Sequence, residues 1–251
     1  MDDLPQSHTE SDGSAVIRVL SYNLRSMRDD EDALARVIRA CSPDLVFAQE
    51  APRFFRWRKH AARLAAKAEL VVLGGGATAA GPLLMCSLRA HVERTEDVLL
   101  PLTPGLHRRG FATAVVRIAD ARVGLLSTHL SLQRAERATQ VELLLEKLRE
   151  LDTPHAIAAG DLNETPDGPA FARLTADLQD CRTVAPWGDE NTFPTTAPNR
   201  RIDAILTTPG VEVLGCGVPT PTTLEGITET DLKSASDHLP VLAALRLRAT
   251  G

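Results

Sequence analysis

Roughly ten short apolar runs are spread along this 251-residue chain, each closed off by polar, glycine or proline residues, and only two segments carry a clear helical stripe. The strand-like runs are 15–22 (AVIRVLSY), 44–49 (DLVFAQ), 69–73, 83–88, 111–118 (FATAVVRI), 123–128, 155–159 (HAIAA), 202–206, 211–217 and 241–247. The helical stripes are Leu34, Val37, Ile38 and Cys41, at i, i+3, i+4 and i+7, and Ala138, Val141, Leu145 and Leu148 within 134–151. So many strands exceed what one open doubly wound sheet needs. Two sheets packed face to face, with the helices outside, fit the count. No repeat or linker interrupts 15–251, which reads as one domain behind a polar, acidic tail over 1–14 that is expected to be disordered.

Composition narrows the function. Hydrophobic content of 43% with 24% charged residues is ordinary for a globular protein. The net charge of −5 argues mildly against a general binder of nucleic-acid backbone, although bound divalent cations would offset several acidic groups. Cys41, Cys86, Cys181 and Cys216 show no CxxC spacing and read as small buried hydrophobes in a reducing compartment. The start, MDDLPQSHTESDGSA, lacks the basic and apolar regions of a signal peptide. The uncharged stretch 70–88 is broken by four glycines and Pro82, so it reads as strand, loop, strand and not as a membrane span. A cytoplasmic, monomeric protein is expected.

Polar residues stand where the core strands end. Asn23 follows the first strand (SYNLR), Glu50 the second (FAQE), and His129 closes LLSTHL. Asp161 and Asn163 follow AIAAGDLNETP, Asp203 sits in RIDAIL, and Asp237 and His238 precede the last strand in SDHLP. Singly, most have a structural explanation: Asn23 as a turn residue, 160–163 as an Asx turn, His129 as a satisfied core histidine. Asp203 resists one, because it interrupts an apolar strand and a buried carboxylate needs a partner, for which His238 is available. Strand ends on one sheet edge lie close in space, so the set can converge on one cleft. Oxygen donors such as Glu50, Asp237 and Asn23 suit a hard divalent cation, and two histidines, one oriented by a carboxylate, suit an activated water and a leaving oxygen.

In this order SYNLR, Gln49-Glu50, STHL, GDLNETP, RIDAIL and SDHLPV resemble the endonuclease/exonuclease/phosphatase superfamily of deoxyribonuclease I-like phosphoesterases, over roughly 15–247. The resemblance implies an α/β fold, a four-layer α/β/β/α sandwich of two packed mixed sheets flanked by helices. It implies hydrolysis of a phosphate ester with Mg2+, for which Mn2+ would substitute. Carried over by position, Glu50 resembles the principal metal ligand, with Asn23 and Asp237 beside it. His238 resembles the base, held by Asp203, and His129 the histidine that binds phosphate and assists the leaving group. Asp161 and Asn163 resemble the pair that orients water and phosphate, with a second metal left open. The tyrosine kept near the phosphate by abasic-site members has no counterpart except Tyr22, next to Asn23.

Other features are weaker. On a helix over 53–67, Arg53, Arg56, His60, Arg63 and Lys67 would share one face, either a solvated surface or a polyanion contact. Arg108 and Arg109 could add to the latter, whereas Arg134 and Arg137 read as surface residues at a helix start, and Gly74-Gly75-Gly76 lacks the lysine of a phosphate loop. A compact phosphate ester is therefore the expected substrate, with DNA or RNA as the alternative. A catalytically dead scaffold is disfavoured because no matched position is broken, and a zinc hydrolase because clustered histidines are missing.

Overall fold

A computed structural model describes residues 3–250. The chain runs β1 (His8–Thr9), β2 (Ala15–Asn23), α1 (Glu31–Cys41), β3 (Leu45–Gln49), α2 (Trp57–Lys67), β4 (Val71–Gly75), β5 (Leu83–Cys86) and β6 (Ala90–Leu99). It continues through β7 (Gly110–Ile118), β8 (Ala121–His129), α3 (Arg134–Glu150), β9 (His155–Asp161), α4 (Pro169–Thr175) and β10 (Gln179–Asp180). It closes with α5 (Cys181–Val184), β11 (Asp203–Thr207), β12 (Glu212–Gly217), α6 (Glu229–Ala235) and β13 (Val241–Leu247). Local chemistry sets the boundaries. Asp30 caps α1 by accepting from the backbone N–H of Asp32 and Ala33, and Ser42 ends it in the left-handed region.

One sheet has the order β12-β13-β2-β3-β5-β4, with β1 beside the start of β2; the other has the order β10-β11-β9-β8-β7-β6. Their inner faces share a core in which Ile17, Val19 and Phe47 meet Val116, Leu125 and Ile157. Behind the first sheet, Leu34 and Ile38 of α1 and Leu64 of α2 pack with Leu20 and Tyr22. Behind the second, Val141 and Leu145 of α3 and Phe171 of α4 pack with Val115 and Leu126. The result is the expected four-layer α/β/β/α sandwich.

Each sheet holds one parallel pair, β2 with β3 and β8 with β9, joined through α1 and α3 respectively. A parallel pair needs such a crossover and sends both carboxyl ends to the same edge. Antiparallel β13 and β11 bring their amino ends there. The expected functional residues lie at these ends.

Several expectations change. The segment 3–14 is ordered, not a disordered tail; residues 1–2 lie outside the described residues. Arg18, fully buried in β2, donates to the carbonyls of Leu4 (2.7 Å), Pro5 (3.0 Å) and Cys41 (3.3 Å), Leu4 is itself buried, and β1 pairs with β2. A buried guanidinium must be given acceptors, and the N-terminal backbone supplies two of them. The strand expected at 69–73 lies at Val71–Gly75, and the exposed edge strand β6 has no counterpart among the expected runs. The helix expected from 53 begins at Trp57, and Phe54, ahead of it, is exposed. Arg137 is buried and donates to Glu164 at 2.8 Å, so it is not a surface residue. All four cysteines are buried and free, and no helix among the described residues is long and apolar enough to cross a membrane.

One buried ion pair fixes the route into β11. Arg201, two residues before Asp203, donates to both oxygens of Asp180 at 3.1 and 2.8 Å, with both side chains buried. Removing one partner strands the other charge away from water. Asp180→Ala is expected to cost about 3–5 kcal/mol in urea unfolding; a loss below about 1 kcal/mol, the range of exposed pairs, would contradict this role.

Candidate active site

Asn23 joins the two sheets. Its Nδ2 donates to Asp161 Oδ2 at 3.1 Å and to Glu50 Oε1 at 3.3 Å, while its Oδ1 accepts from the backbone N–H of Arg25. Glu50 leaves β3 with φ at 52°, the left-handed region that residues other than glycine rarely adopt. Hydrogen bonds from Ser26 N to Glu50 O and from Ala51 N to Gly81 O hold that turn. Across the cleft, Gly160 lets β9 lie against β8: a Cβ there would sit 1.9 Å from the Thr128 carbonyl oxygen. The register then sets His129 opposite Asp161, and Asp161 opposite Asp203.

Asp161 is the hub. Its Oδ2 lies 3.4 Å from His129 Nε2 and 3.7 Å from His238 Nε2, and its Oδ1 accepts from the backbone N–H of Asn163 at 2.9 Å. Asp203 Oδ2 is 2.9 Å from His238 Nδ1, and its Oδ1 is buried with no hydrogen-bond partner among the described residues. Asn163 donates its Nδ2 to Leu130 O and has φ at 51°. These surroundings split the two histidines. Burial drives the His129 pKa down to about 4; Asp161 opposes this and the nearby Arg109 reinforces it, so the ring is neutral. Burial also acts against a charge on His238, but Asp203, Asp161 and Asp237 outweigh it and raise its pKa to about 9. Burial pushes the Asp161 carboxyl up.

A loop that the sequence does not mark, 192–195, ties Asp203 to His238. The Thr192 hydroxyl accepts from the backbone N–H of Ile202 and Asp203 (3.2 and 3.3 Å), and its carbonyl accepts from Leu239 N at 2.7 Å. Thr195 N donates to Asp237 O, and the Phe193 ring packs on His238 with centroids 4.7 Å apart. Thr192→Val keeps the shape and removes the acceptor for two buried N–H groups together with a long 3.5 Å donation to the Arg200 carbonyl. It is expected to cost about 1–3 kcal/mol of stability and to lower kcat more than tenfold by loosening His238 against Asp203, with KM little changed. An unchanged kcat in a folded variant would remove Thr192 from this role.

Glu50, His129, Asp161, Asn163 and His238 line one cleft of about 330 Å³, together with Arg28, Arg53, His107 and Arg109. Asn23 and Asp203 sit buried behind it. Asp237 stands aside, its Oδ2 3.4 Å from Arg25 Nε, so the structure joins Asn23 to Glu50 but not Asp237 to either. Arg25, Arg28 and His107 had no signal in the sequence beyond their charge. Tyr22 is fully buried on the opposite face of β2 from Asn23, away from the cleft.

Residues 20–238 match the sequence profile of the Endonuclease/Exonuclease/phosphatase family. The chain belongs to that family. No curated protein is significantly similar in sequence. Among solved structures, a family member from Bacteroides vulgatus superposes with a TM-score of 0.76 at 22% identity, covering 92% of this chain and 99% of that one. The mannosyl-6-phosphatase of Bacteroides thetaiotaomicron gives a TM-score of 0.72 at 19% identity, with 91% and 99% covered. TDP2 of D. rerio, complexed with a single-strand DNA product, gives 0.72 at 19% identity, with 92% and 98% covered. At these identities the likeness is one of fold.

The donor chemistry at this edge fits the divalent cation on which the family generally depends. Asp161, Asp203 and His238 each offer a ligand atom within 4.8 Å of the others. Asp203 and His238 are already engaged with each other through Oδ2 and Nδ1. Glu50, whose carboxylate meets only the Asn23 amide among the described residues, is the freer oxygen donor on the cleft wall.

Proposed function

We propose that this chain is a divalent-metal-dependent phosphoesterase that hydrolyses a compact phosphate ester by attack of water. The observation that carries this reading is the meeting of both histidines on Asp161 within the cleft, with Asp203 fixed on the far nitrogen of one of them.

Glu50 would hold Mg2+ or Mn2+, with Asn23 beside it and Asp237 recruited from its pairing with Arg25. The cation supplies charge that polarises the phosphate and favours deprotonation of water. His238 moves the proton. Asp203 at 2.9 Å fixes Nδ1 as the protonated nitrogen, which makes Nε2 the atom that exchanges a proton with water. The pKa of about 9 reflects uncompensated carboxylates, and positive charge beside them returns Nε2 toward an acceptor at neutral pH. His129, held neutral, donates a hydrogen bond to the phosphate or the leaving oxygen without adding charge. Asn163 keeps Oδ1 free of any partner among the described residues, available to orient water.

A compact ester is favoured over a long duplex. Arg63 and Lys67, two of the five basic residues that could follow a nucleic-acid backbone, are ion-paired with Glu31 and Asp32 of α1. Affinity for duplex DNA comes mainly from cations free to neutralise phosphates. The test is release of p-nitrophenol from mono- and diesters with magnesium present, beside nicking of plasmid DNA. A dead scaffold gives neither; nicking that outpaces the small diesters would make the chain a nuclease.

A further inference from the structure

One wall of the cleft has no task in the hydrolysis just described. Arg28, Arg53 and Arg109 line it. Arg109 is half-buried, and its guanidinium makes no ion pair or hydrogen bond among the described residues; Arg53 spends one N–H on the Ala80 carbonyl at 3.3 Å. This is unlike other arginines turned toward the protein, such as Arg18 and Arg137, whose three nitrogens all donate to carbonyl or carboxylate oxygens. A guanidinium cannot shed its charge, so partial burial without a partner is a cost that an incoming anion would relieve. Arg53 and Arg109 both press the pKa of His129 down, which sets them beside it in the same cleft.

The charge count points the same way. Only two carboxylates line the cleft, Glu50 and Asp161, since Asp203 is held by His238 and Asp237 by Arg25. A divalent cation balances those two, which leaves three guanidinium charges facing the substrate. The scissile group of a phosphodiester carries one negative charge, so most of that wall would stay uncompensated. We propose that Arg53 and Arg109 form an anion subsite for a second phosphate on the substrate, beside the ester that is cut. The substrate class is then a bisphosphorylated compact ester, or a phosphodiester with a neighbouring terminal phosphate. The inference rests on the phosphoesterase reading and assigns the cleft's other wall.

The subsite is tested by calorimetry on the magnesium-loaded protein, with propylphosphonate and propane-1,3-diylbisphosphonate as probes that cannot be hydrolysed. The bisphosphonate is expected to bind at least about tenfold tighter, the scale of one added charge-assisted contact. In the Arg53→Gln/Arg109→Gln double variant, folded by thermal melting, that ratio is expected to fall below about threefold. Equal binding of the two probes by the unaltered protein would overturn the subsite. So would a ratio that survives in the variant while both affinities drop, because the arginines would then hold the scissile group. Hydrolysis is measured in the same samples with the corresponding phosphate esters. A binding preference with no turnover of any ester would leave the subsite standing and overturn the phosphoesterase reading instead.

Discussion

His238→Ala is expected to lower kcat about a thousandfold, within the range that positioned proton transfer contributes. Asp203→Asn should cost nearly as much, because the amide carries no charge and can turn its NH2 toward Nδ1 as a donor, so the ring loses its fixed tautomer. The double variant should be scarcely slower than the worse single one. The two groups act through a single bond of 2.9 Å, and breaking it from either side disables the same unit. Losses that multiply would mean that the two act independently. Asp203 is also buried with one oxygen unpartnered, so Asp203→Asn is expected to leave stability close to that of the parent, and a melt separates a folding defect from a catalytic one.

Glu50→Gln tests the cation. The change keeps shape and volume and removes one negative charge from a half-buried side chain whose carboxylate meets only the Asn23 amide among the described residues. The magnesium concentration giving half-maximal activity is expected to rise at least about tenfold, since even groups that merely support a ligand change metal affinity by 10–100-fold. Unfolding should barely move, because a substitution at such a wall position lacks the cavity or stranded charge behind large losses. An unaltered magnesium requirement would take Glu50 out of the metal site and leave Asp161, Asp203 and Asp237 as the carboxylates to consider.

Most of the fold is legible in the sequence because its signals are local. Short continuous apolar runs mark the strands buried on both faces, and the polar residue that ends several of them marks the edge where the chain must turn. Asp203 announces itself by chemistry: a carboxylate inside RIDAIL has to meet a partner, and it meets His238. The edge strand β6 is hidden because its residues face water on both sides and carry no alternation. The ordered N-terminus is hidden because its anchor, Arg18, lies elsewhere in the chain and binds backbone carbonyls that composition cannot reveal. The placement of the arginines in and beside the cleft is hidden for the same reason. Arg25 reaches Asp237 across more than two hundred residues, and Arg109 enters the cleft through a loop, 100–109, with neither period nor motif. Thr192 acts through a hydroxyl shared by two backbone N–H groups, a role that no residue type signals.

The central claim is that the cleft hydrolyses phosphate esters through a bound divalent cation. It is tested most directly by assaying a p-nitrophenyl phosphodiester after exhaustive chelation and again after adding magnesium or manganese back. The account predicts no turnover above background in chelator and full recovery on adding either ion, because the Glu50 and Asp161 carboxylates on the cleft wall repel a scissile phosphate until a cation is held between them. Undiminished turnover in the chelated protein would contradict it.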